Sequence, residues 1–290
     1  MSGSVSMKDK IVLVTGATDG IGKVTAETLA GLGARVVLVG RNLEKTELVV
    51  NEIIQKTGNS GLEYLIADLS IQSQVRRLAQ EFRQIHNRLD VLVNNAGAMF
   101  MSRQQSQDGY EMTFALNHLA YFLLTNLLLD VIKTSGPARI VNVSSAAHQG
   151  AQLNFDDLQN RKHYNSQSVY AQSKLANLYF TYELSRRLAG IDVTVNALHP
   201  GFVATNFGAN NGGIYRLAFG ISHVGAISPA EGAETTIYLA SSPDVAGVTG
   251  KYFIRKKETR SSEISYDEQA AARLWQISLE LTGLTEHEMS

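Results

Sequence analysis

The sequence predicts an α/β domain, a three-layer sandwich built on a mostly parallel sheet of roughly seven strands, and three observations predict it. Short runs rich in Val and Ile alternate along the chain with longer segments of helical periodicity. These runs are continuously apolar, which is typical of strands buried on both faces of a parallel sheet. No linker, low-complexity segment or repeat divides the 290 residues, so we predict a single domain over residues 1–290.

The candidate elements follow one another in the order that repeated strand–helix units require. The predicted strands cover residues 11–15, 35–39, 63–67, 91–94, 139–143, 192–198 and 251–254. The predicted helices cover residues 21–32, 43–56, 71–85, 109–133, 168–188 and 230–239, and apolar spacing predicts a C-terminal helix over residues 266–281.

Three other segments have compositions of their own. We expect the short polar start, residues 1–9, to be flexible. It lacks the apolar core of a signal peptide. The long segment 146–167 is a candidate functional loop, and the glycine-rich, aromatic segment 202–228 is a candidate substrate lid. The apolar stretch 114–132 contains Asn117, His118, Asn126 and Asp130, which favours a buried helix over a membrane span.

Composition excludes several classes of function. The net charge of −1 gives no basic field for nucleic acid, and hydrophobic and charged fractions of 44% and 18% are typical of a globular protein. The absence of cysteine excludes disulfides and thiolate chemistry. The seven histidines form no ligand-spaced cluster, so we predict no metal. We expect a cytoplasmic protein without a membrane span.

A glycine-rich turn, TGATDGIG at residues 15–22, follows the first predicted strand and opens the first predicted helix. Gly16, Gly20 and Gly22 permit a tight turn, so that backbone N–H groups can approach a pyrophosphate at the helix N-terminus. Simple chain reversal is the alternative interpretation. The position of the turn at the first strand–helix junction favours a nucleotide, and therefore a Rossmann-type domain.

The end of the second strand is where such a domain reads the adenosine ribose of its cofactor. A carboxylate there favours NAD, whereas this sequence has Arg41, with Lys45 close behind. A guanidinium binds a phosphate through two hydrogen bonds, so NADP(H) is the preferred cofactor and NAD(H) stays possible. Asp19 favours NAD, because it adds negative charge to the glycine turn.

Polar residues follow the later strands, where open α/β sheets bind ligands: NNAG at residues 94–97, Asn117, the pair Ser144-Ser145, and YAQSK at residues 170–174. Together with the glycine turn and Pro200-Gly201, their order resembles the classical short-chain dehydrogenase/reductase family from Lys10 to about Leu284. The resemblance implies NADP(H)-dependent transfer of hydride between the nicotinamide and a carbonyl or alcohol.

The YxxxK spacing is weak evidence alone, because Tyr252 and Lys256 repeat it. On a helix, residues four apart share one face, about 6 Å apart along the axis. In a strand the same spacing is about 13 Å. Only Tyr170 and Lys174 are therefore expected to act as a unit.

The resemblance assigns a role to each of four residues. Tyr170 exchanges the proton with the substrate oxygen, and Lys174 lowers the pKa of that phenol, which is otherwise about 10. Ser145, the second serine of its pair, binds the substrate oxygen. Asn117 holds a water that links Lys174 to solvent.

The same resemblance predicts the remaining cofactor contacts. They lie in the glycine turn, at the ends of the next strands and in the segment that begins with Pro200: Gly16, Thr18, Asp19, Gly20, Ile21, Gly22, Arg41, Asp68, Leu69, Asn95, Ala96, Gly97, Tyr170, Lys174, Pro200, Gly201, Val203 and Thr205. Asp68 and Leu69 are expected at the adenine, and Val203 and Thr205 at the carboxamide.

The segment between Ser145 and Tyr170 is longer than in most members of the family and resembles the retinol dehydrogenase-like branch. That branch implies a hydrophobic aldehyde, ketone or alcohol as substrate. His148 within it is interpreted as a structural histidine. The apolar helices 117–132 and 168–188 suggest a homodimer or homotetramer.

Two alternatives remain open. A nucleotide-sensing or scaffold protein could keep the fold without the chemistry, although such proteins usually lose the tyrosine–lysine pair, which is intact here. An epimerase or dehydratase could use a bound nicotinamide cofactor on the same fold.

Overall fold

The computed structural model describes residues 6–203 and 227–285 of the chain. Eight strands form one sheet in the order β3-β2-β1-β4-β5-β6-β7-β8, parallel except for the last pair. They are β1 (Ile11–Thr15), β2 (Arg35–Gly40), β3 (Leu62–Ile66), β4 (Val91–Asn94), β5 (Ala138–Val143), β6 (Val193–His199), β7 (Lys251–Ile254) and β8 (Lys257–Glu258). The predicted single-domain, mostly parallel α/β fold is confirmed, and the seven predicted strands match within one residue at each end.

The eighth strand was missed, because two exposed polar residues carry no periodicity. It closes a hairpin with β7, in which Arg255 and Lys256 both have positive φ, 49° and 62°. Two left-handed residues form the tight turn that the twist of antiparallel strands favours.

The helices occupy the positions predicted for them, with one correction. They are α1 (Gly20–Gly31), α2 (Leu43–Thr57), α3 (Gln72–Ile85), α4 (Met112–Phe114), α5 (Ala120–Leu127), α6 (Leu129–Lys133), α7 (Ser166–Arg187), α8 (Pro229–Ser241) and α9 (Glu268–Thr282).

The predicted continuous helix over residues 109–133 is wrong. Helix α4 begins at Met112, because the buried carboxylate of Glu111 accepts hydrogen bonds from the N–H groups of Thr113 and Phe114. A π-helical turn, Ala115–Leu119, then joins α4 to α5. Such turns widen a helix and often occur at functional sites.

Helices cover both faces of the sheet. On one face α1, α2 and α8 pack through side chains such as Leu29, Val49 and Leu239. On the other, α3, α5 and α7 pack through side chains such as Phe82 and Phe122. This arrangement leaves the carboxyl edge of the parallel strands as the place where their loops converge.

Helix α9 packs against α5 and α7 from the outside. The Trp275 ring lies 4.9 Å from that of Phe122 and 6.0 Å from that of Phe180, between centroids, and the Arg187 guanidinium lies 4.3 Å over it. The apolar side chains that suggested an oligomer are therefore covered within the chain. Homo-oligomerisation stays a prediction, but without this reason for it.

Of the start expected to be flexible, residues 6–9 are described, and Met7 is fixed to the domain. Its side chain is buried, and its N–H donates to the Leu32 carbonyl at 2.9 Å. The predicted lid, 202–228, lies outside the described residues except for its ends. Of the helices that are described, none is both long enough and apolar enough to cross a membrane.

Candidate active site

The glycine turn connects β1 to α1 at the carboxyl edge of the sheet. Gly16 and Gly20 have φ of 63° and 50°, values that residues with a Cβ rarely adopt. A Cβ on Gly22 would lie 2.2 Å from the Gly16 carbonyl oxygen, so the helix start packs directly on the turn. This bare turn at a helix N-terminus fits a pyrophosphate.

Hydrogen bonds from the NNAG segment to Thr15 fix the segment against this turn. The Thr15 hydroxyl accepts from the N–H groups of Asn95 and Ala96 at 2.8 and 3.0 Å, and the Asn95 amide donates to the Thr15 carbonyl at 2.8 Å. Asn94 instead turns inward and binds Thr125 and Asn142. Thr15 was not identified from the sequence, although its place before the turn was a usable signal.

The predicted adenosine end of the cofactor site is exposed to solvent. Asp19 caps α1 by accepting from the Gly20 N–H at 2.8 Å, and its other oxygen pairs with Lys45 Nζ at 2.8 Å. Arg41 is exposed beside them, at the end of β2. Thr18 is half-buried in the same turn. The pairing with Lys45 offsets the Asp19 charge that favoured NAD.

Asp68 and Leu69 follow β3, next to this end of the site. The Asp68 carboxylate accepts from both the N–H and the hydroxyl of Ser70, at 2.9 and 2.7 Å, which fixes the loop. Leu69 is buried in the core. Both stay predictions as adenine contacts.

Pro200-Gly201 follows β6 as predicted. A Cβ on Gly201 would lie 2.5 Å from Ile227, so the chain is tightly packed here. Val203 forms a β-bridge with Ile227. Thr205 lies outside the described residues.

Val203 and Ile21 come together over Gly232 of α8. A Cβ on Gly232 would meet them at 2.5 and 3.3 Å. The segment after β6 therefore reaches the start of α1, on the side where both residues are predicted to contact the cofactor.

Ser145, Tyr170 and Lys174 meet at the ends of β5 and α7. The Ser145 hydroxyl interacts with the Tyr170 phenol and acts to lower its pKa. Lys174 is 3% exposed, and its Nζ lies 5.5 Å from the centroid of the Tyr170 ring and donates to the Val143 carbonyl at 3.0 Å. The helical spacing thus brings tyrosine and lysine together, as predicted.

Burial displaces the pKa values of both groups. It lowers the pKa of Lys174 to about 7 and raises the pKa of Tyr170 to about 12, the latter against the hydrogen bond from Ser145. Lys174 is therefore able to gain or lose a proton near neutral pH. Shifted pKa values in a cleft are typical of groups that transfer protons.

Asn117 lies in the π-helical turn, fully buried. Its amide donates to the Ala98 carbonyl and to the Ser173 hydroxyl, both at 3.0 Å, and its oxygen accepts from the Ala98 N–H at 2.9 Å. A Cβ on Gly97 would lie 3.1 Å from the Asn117 oxygen and 3.5 Å from Lys174 Nζ, so all three surround one point.

The second YxxxK pair does not form a unit. Tyr252 is buried in β7, whereas Lys256 lies in the hairpin turn and pairs with Glu234 at 2.8 Å. Among the described residues, no group of three or more histidines and carboxylates could hold a metal ion.

Besides Thr15, two contributors to the site were missed from the sequence. Tyr121 places its buried ring 5.9 Å from Lys174 Nζ, and the Ser173 hydroxyl accepts a hydrogen bond from the Asn117 amide. Ser173 lies within YAQSK and was visible there. Tyr121 gave no signal, because it belongs to a uniformly apolar stretch.

The chain is similar to known dehydrogenases in sequence. The family model for short chain dehydrogenases matches residues 10–212. Human polyprenol dehydrogenase is 43% identical over 290 residues, covering 95% of this chain and 86% of the relative. Human retinol dehydrogenase 14 is 43% identical over 297 residues, covering 96% and 88%.

The chain is also similar in fold to solved structures. A protein of Mycobacterium paratuberculosis has a TM-score of 0.78 at 34% identity, covering 97% of this chain and 96% of its own. A short chain dehydrogenase of Shigella flexneri, complexed with NADP, has a TM-score of 0.68 at 28% identity, covering 87% and 98%.

Proposed function

This chain belongs to the short-chain dehydrogenase family, within its retinol dehydrogenase-like branch, and is an oxidoreductase acting on CH–OH groups; we propose that it uses NADP(H) and a hydrophobic aldehyde, ketone or alcohol. The observation that carries the proposal is the Ser145–Tyr170–Lys174 group. Its hydroxyl, phenol and amine meet at the carboxyl edge of the sheet, beside a turn that fits a pyrophosphate.

The nicotinamide cofactor, when bound, supplies or accepts the hydride. In reduction Tyr170 donates its proton to the substrate oxygen, and Ser145 donates a hydrogen bond to that same oxygen as negative charge develops on it. The charged form of Lys174 stabilises the resulting tyrosinate. Oxidation of the alcohol reverses these steps.

Lys174 also returns a proton to the Tyr170 phenol after each reduction. Its pKa of about 7 permits exchange at neutral pH. Asn117, tied to Ala98 and Ser173, is fixed where it can bind a water next to this amine. The proton then passes from solvent through that water to Lys174 and Tyr170.

Three basic or neutralised groups favour NADP(H). Arg41 and Lys45 supply positive charge near the expected ribose phosphate, and Asp19 is already paired with Lys45. The NADP complex of a structural relative is consistent with this preference. A lower Kd for NADH than for NADPH would contradict it.

An apolar substrate is supported by the relatives named for retinol and polyprenol. We expect the walls of its pocket to come from segments 98–108 and 146–167 together with the predicted lid. The chain is also proposed to be cytoplasmic.

The test is a screen of the purified protein against aliphatic aldehydes, aromatic ketones and retinal, followed by NADPH absorbance. Tyr170→Phe should lower kcat at least ~10³-fold, because the proton donor is lost. NADPH binding should stay within a few-fold of wild type. Full activity of Tyr170→Phe would refute the mechanism, and a wild type inactive on every carbonyl would favour the scaffold alternative.

A further inference from the structure

His148 lies three residues after Ser145, at the end of the short 3-10 turn Ala146–His148, and is fully buried. Both of its ring nitrogens have partners. Nδ1 lies 2.6 Å from the Ser145 carbonyl oxygen, and Nε2 lies 3.1 Å from the backbone nitrogen of Ser262. The residue thus contacts the predicted catalytic serine directly.

These two partners determine the state of the ring. A carbonyl oxygen only accepts, so Nδ1 carries the proton, and a backbone N–H only donates, so Nε2 presents its lone pair. His148 is therefore neutral, with its proton on Nδ1. Burial, which lowers the pKa of His148, acts in the same direction.

Ser262 belongs to a segment that is itself fixed on α7. The Tyr182 hydroxyl is hydrogen-bonded to the hydroxyl of Ser261 at 2.6 Å, and Tyr179 donates to the Ile264 carbonyl at 2.9 Å. Since α7 also carries Tyr170 and Lys174, His148 connects the Ser145 loop to the helix that holds the other two groups.

Ser145 needs such a connection. Its own loop offers only the Ala147 N–H, which donates to the Ser145 hydroxyl oxygen at 3.1 Å and leaves the hydroxyl proton for Tyr170 or substrate. The peptide carbonyl of Ser145 is held by the His148 ring and, at 3.2 Å, by the His148 N–H. The preceding residue, Ser144, is already fixed on α7, because its hydroxyl donates to the Lys174 carbonyl at 2.8 Å. The imidazole fixes the other side of Ser145, where the chain leads into the loop.

We propose that His148 is a positioning residue, which holds Ser145 against Tyr170 by linking the Ser145 carbonyl to the backbone of Ser262. This inference rests on the proposed function, because it assumes that Ser145 binds the substrate oxygen.

Two substitutions each remove one of the two hydrogen bonds of the His148 ring. Asn places an amide N–H where Nδ1 was, so His148→Asn keeps the bond to Ser145 and loses the bond to Ser262. Gln places an amide oxygen near the former Nε2, so His148→Gln keeps the contact to Ser262 and loses the donor to Ser145. His148→Asn leaves the Ser262 N–H without its partner, and His148→Gln leaves the Ser145 carbonyl with the backbone N–H of residue 148 alone. Each variant loses one side-chain hydrogen bond, so both should lower the melting temperature.

Their activities should differ. His148→Asn should keep kcat within ~5-fold of wild type, whereas His148→Gln should lose ~20- to 100-fold, the scale expected when an oxyanion donor is misplaced. NADPH binding should be unchanged within ~3-fold in both, since the glycine turn is remote from the loop. Equal losses of kcat in the two variants, or wild-type kcat in His148→Gln, would overturn the proposal.

A matched control is the buried His86, whose Nε2 contacts Glu63 at 2.9 Å at the other edge of the sheet. His86→Asn should lower the melting temperature while leaving kcat at the wild-type value. A loss of kcat there as large as in His148→Gln would mean that any destabilisation impairs turnover, and would overturn the specific role of His148.

The ring state provides a readout that does not require activity. In protein labelled with ¹⁵N-histidine, the resonances that disappear in His148→Asn should show a protonated Nδ1 and an unprotonated Nε2 at pH 7. A proton on Nε2 would overturn the link. If the wild type reduces no carbonyl, the proposed function fails, whereas the tautomer still decides whether His148 holds Ser145.

Discussion

The two ends of the candidate site differ in their exposure to water. At the catalytic end Lys174 and Asn117 are 3% and 0% exposed, and they are hydrogen-bonded to the Val143 carbonyl and to the backbone of Ala98. At the cofactor end the side chains of Asp19 and Lys45 are 47% and 49% exposed, and Arg41 is exposed as well. One end therefore works in a medium of low polarity and the other in water.

This difference determines how charge acts at each end. A buried ammonium loses its hydration and changes its pKa by whole units, whereas an exposed ion pair contributes about 0–1 kcal/mol and weakens with salt. Chemistry is therefore expected at the buried end, with large effects of mutation. Selection between NADP and NAD is expected at the exposed end, with small and salt-dependent effects.

Lys174→Met tests the buried end most severely. The substitution keeps the length of the side chain and removes the amine that transfers the proton and stabilises the tyrosinate. We expect kcat to fall ~10²- to 10⁴-fold. Steady-state kinetics with NADPH and a carbonyl found in the screen measure this, and a loss below 10-fold would show that Lys174 is not part of the proton path.

The same variant should be more stable than wild type at low pH. The pKa of Lys174 falls from 10.5 to about 7 on folding, so between these values the unfolded chain binds more protons than the folded one. The free energy of unfolding therefore rises with pH from about 7 to 10.5 on account of this group. Burial of the charged lysine destabilises the folded protein most below pH 7.

Lys174→Met removes this destabilisation, because methionine carries no charge. At pH 6 its free energy of unfolding should exceed that of wild type by a few kcal/mol, and the difference should shrink as the pH approaches 9. Urea unfolding of both proteins at pH 6, 7, 8 and 9 measures the difference. A constant difference across this range would mean that the folded lysine has an ordinary pKa.

Asn117→Ala should have an intermediate effect. It leaves the Ala98 N–H and carbonyl unpaired, at a cost of about 1–3 kcal/mol in unfolding free energy. If Asn117 also holds the relay water, kcat should fall ~10- to 100-fold, on the scale of one lost proton-transfer partner.

The control for Asn117 is Ser173→Ala, which removes only one of its three hydrogen bonds. This variant should lose stability but keep kcat within a few-fold. Equal kcat losses in the two variants would indicate that Asn117 acts by packing alone.

Parts of both ends were predicted from the sequence, in each case because local sequence determines the local structure. The glycine turn and the first strand were predicted correctly, because a short apolar run followed by glycines at fixed positions encodes its structure locally. YAQSK was predicted for a similar reason, since helical spacing alone brings Tyr170 and Lys174 together.

What the sequence did not reveal depends on contacts between distant residues. The hydrogen bond between His148 and Ser262 spans 114 positions, and the pairing of Lys45 with Asp19 spans 26. The π-helical turn at Asn117 lies in a uniformly apolar stretch whose pattern cannot distinguish it from a regular helix. Such features depend on which segments the whole fold brings together, and local sequence does not encode that.

Asp19→Asn should have the smallest effect and tests the exposed end. Asn is also a good helix cap, so α1 should keep its start. The substitution frees Lys45 and removes a negative charge beside the expected 2′-phosphate. NADPH should then bind ~2- to 5-fold more tightly at low ionic strength, and the gain should vanish near 0.5 M salt, where exposed charges are screened.

NADH should gain less, because it lacks the 2′-phosphate. Fluorescence titration of both cofactors measures these changes. The matched control is Glu27→Gln in α1, which removes a half-buried partner of Lys56 and changes the net charge equally. If Glu27→Gln tightens NADPH binding as much as Asp19→Asn does, the effect is one of overall charge, and the Asp19–Lys45 pair does not tune the choice of cofactor.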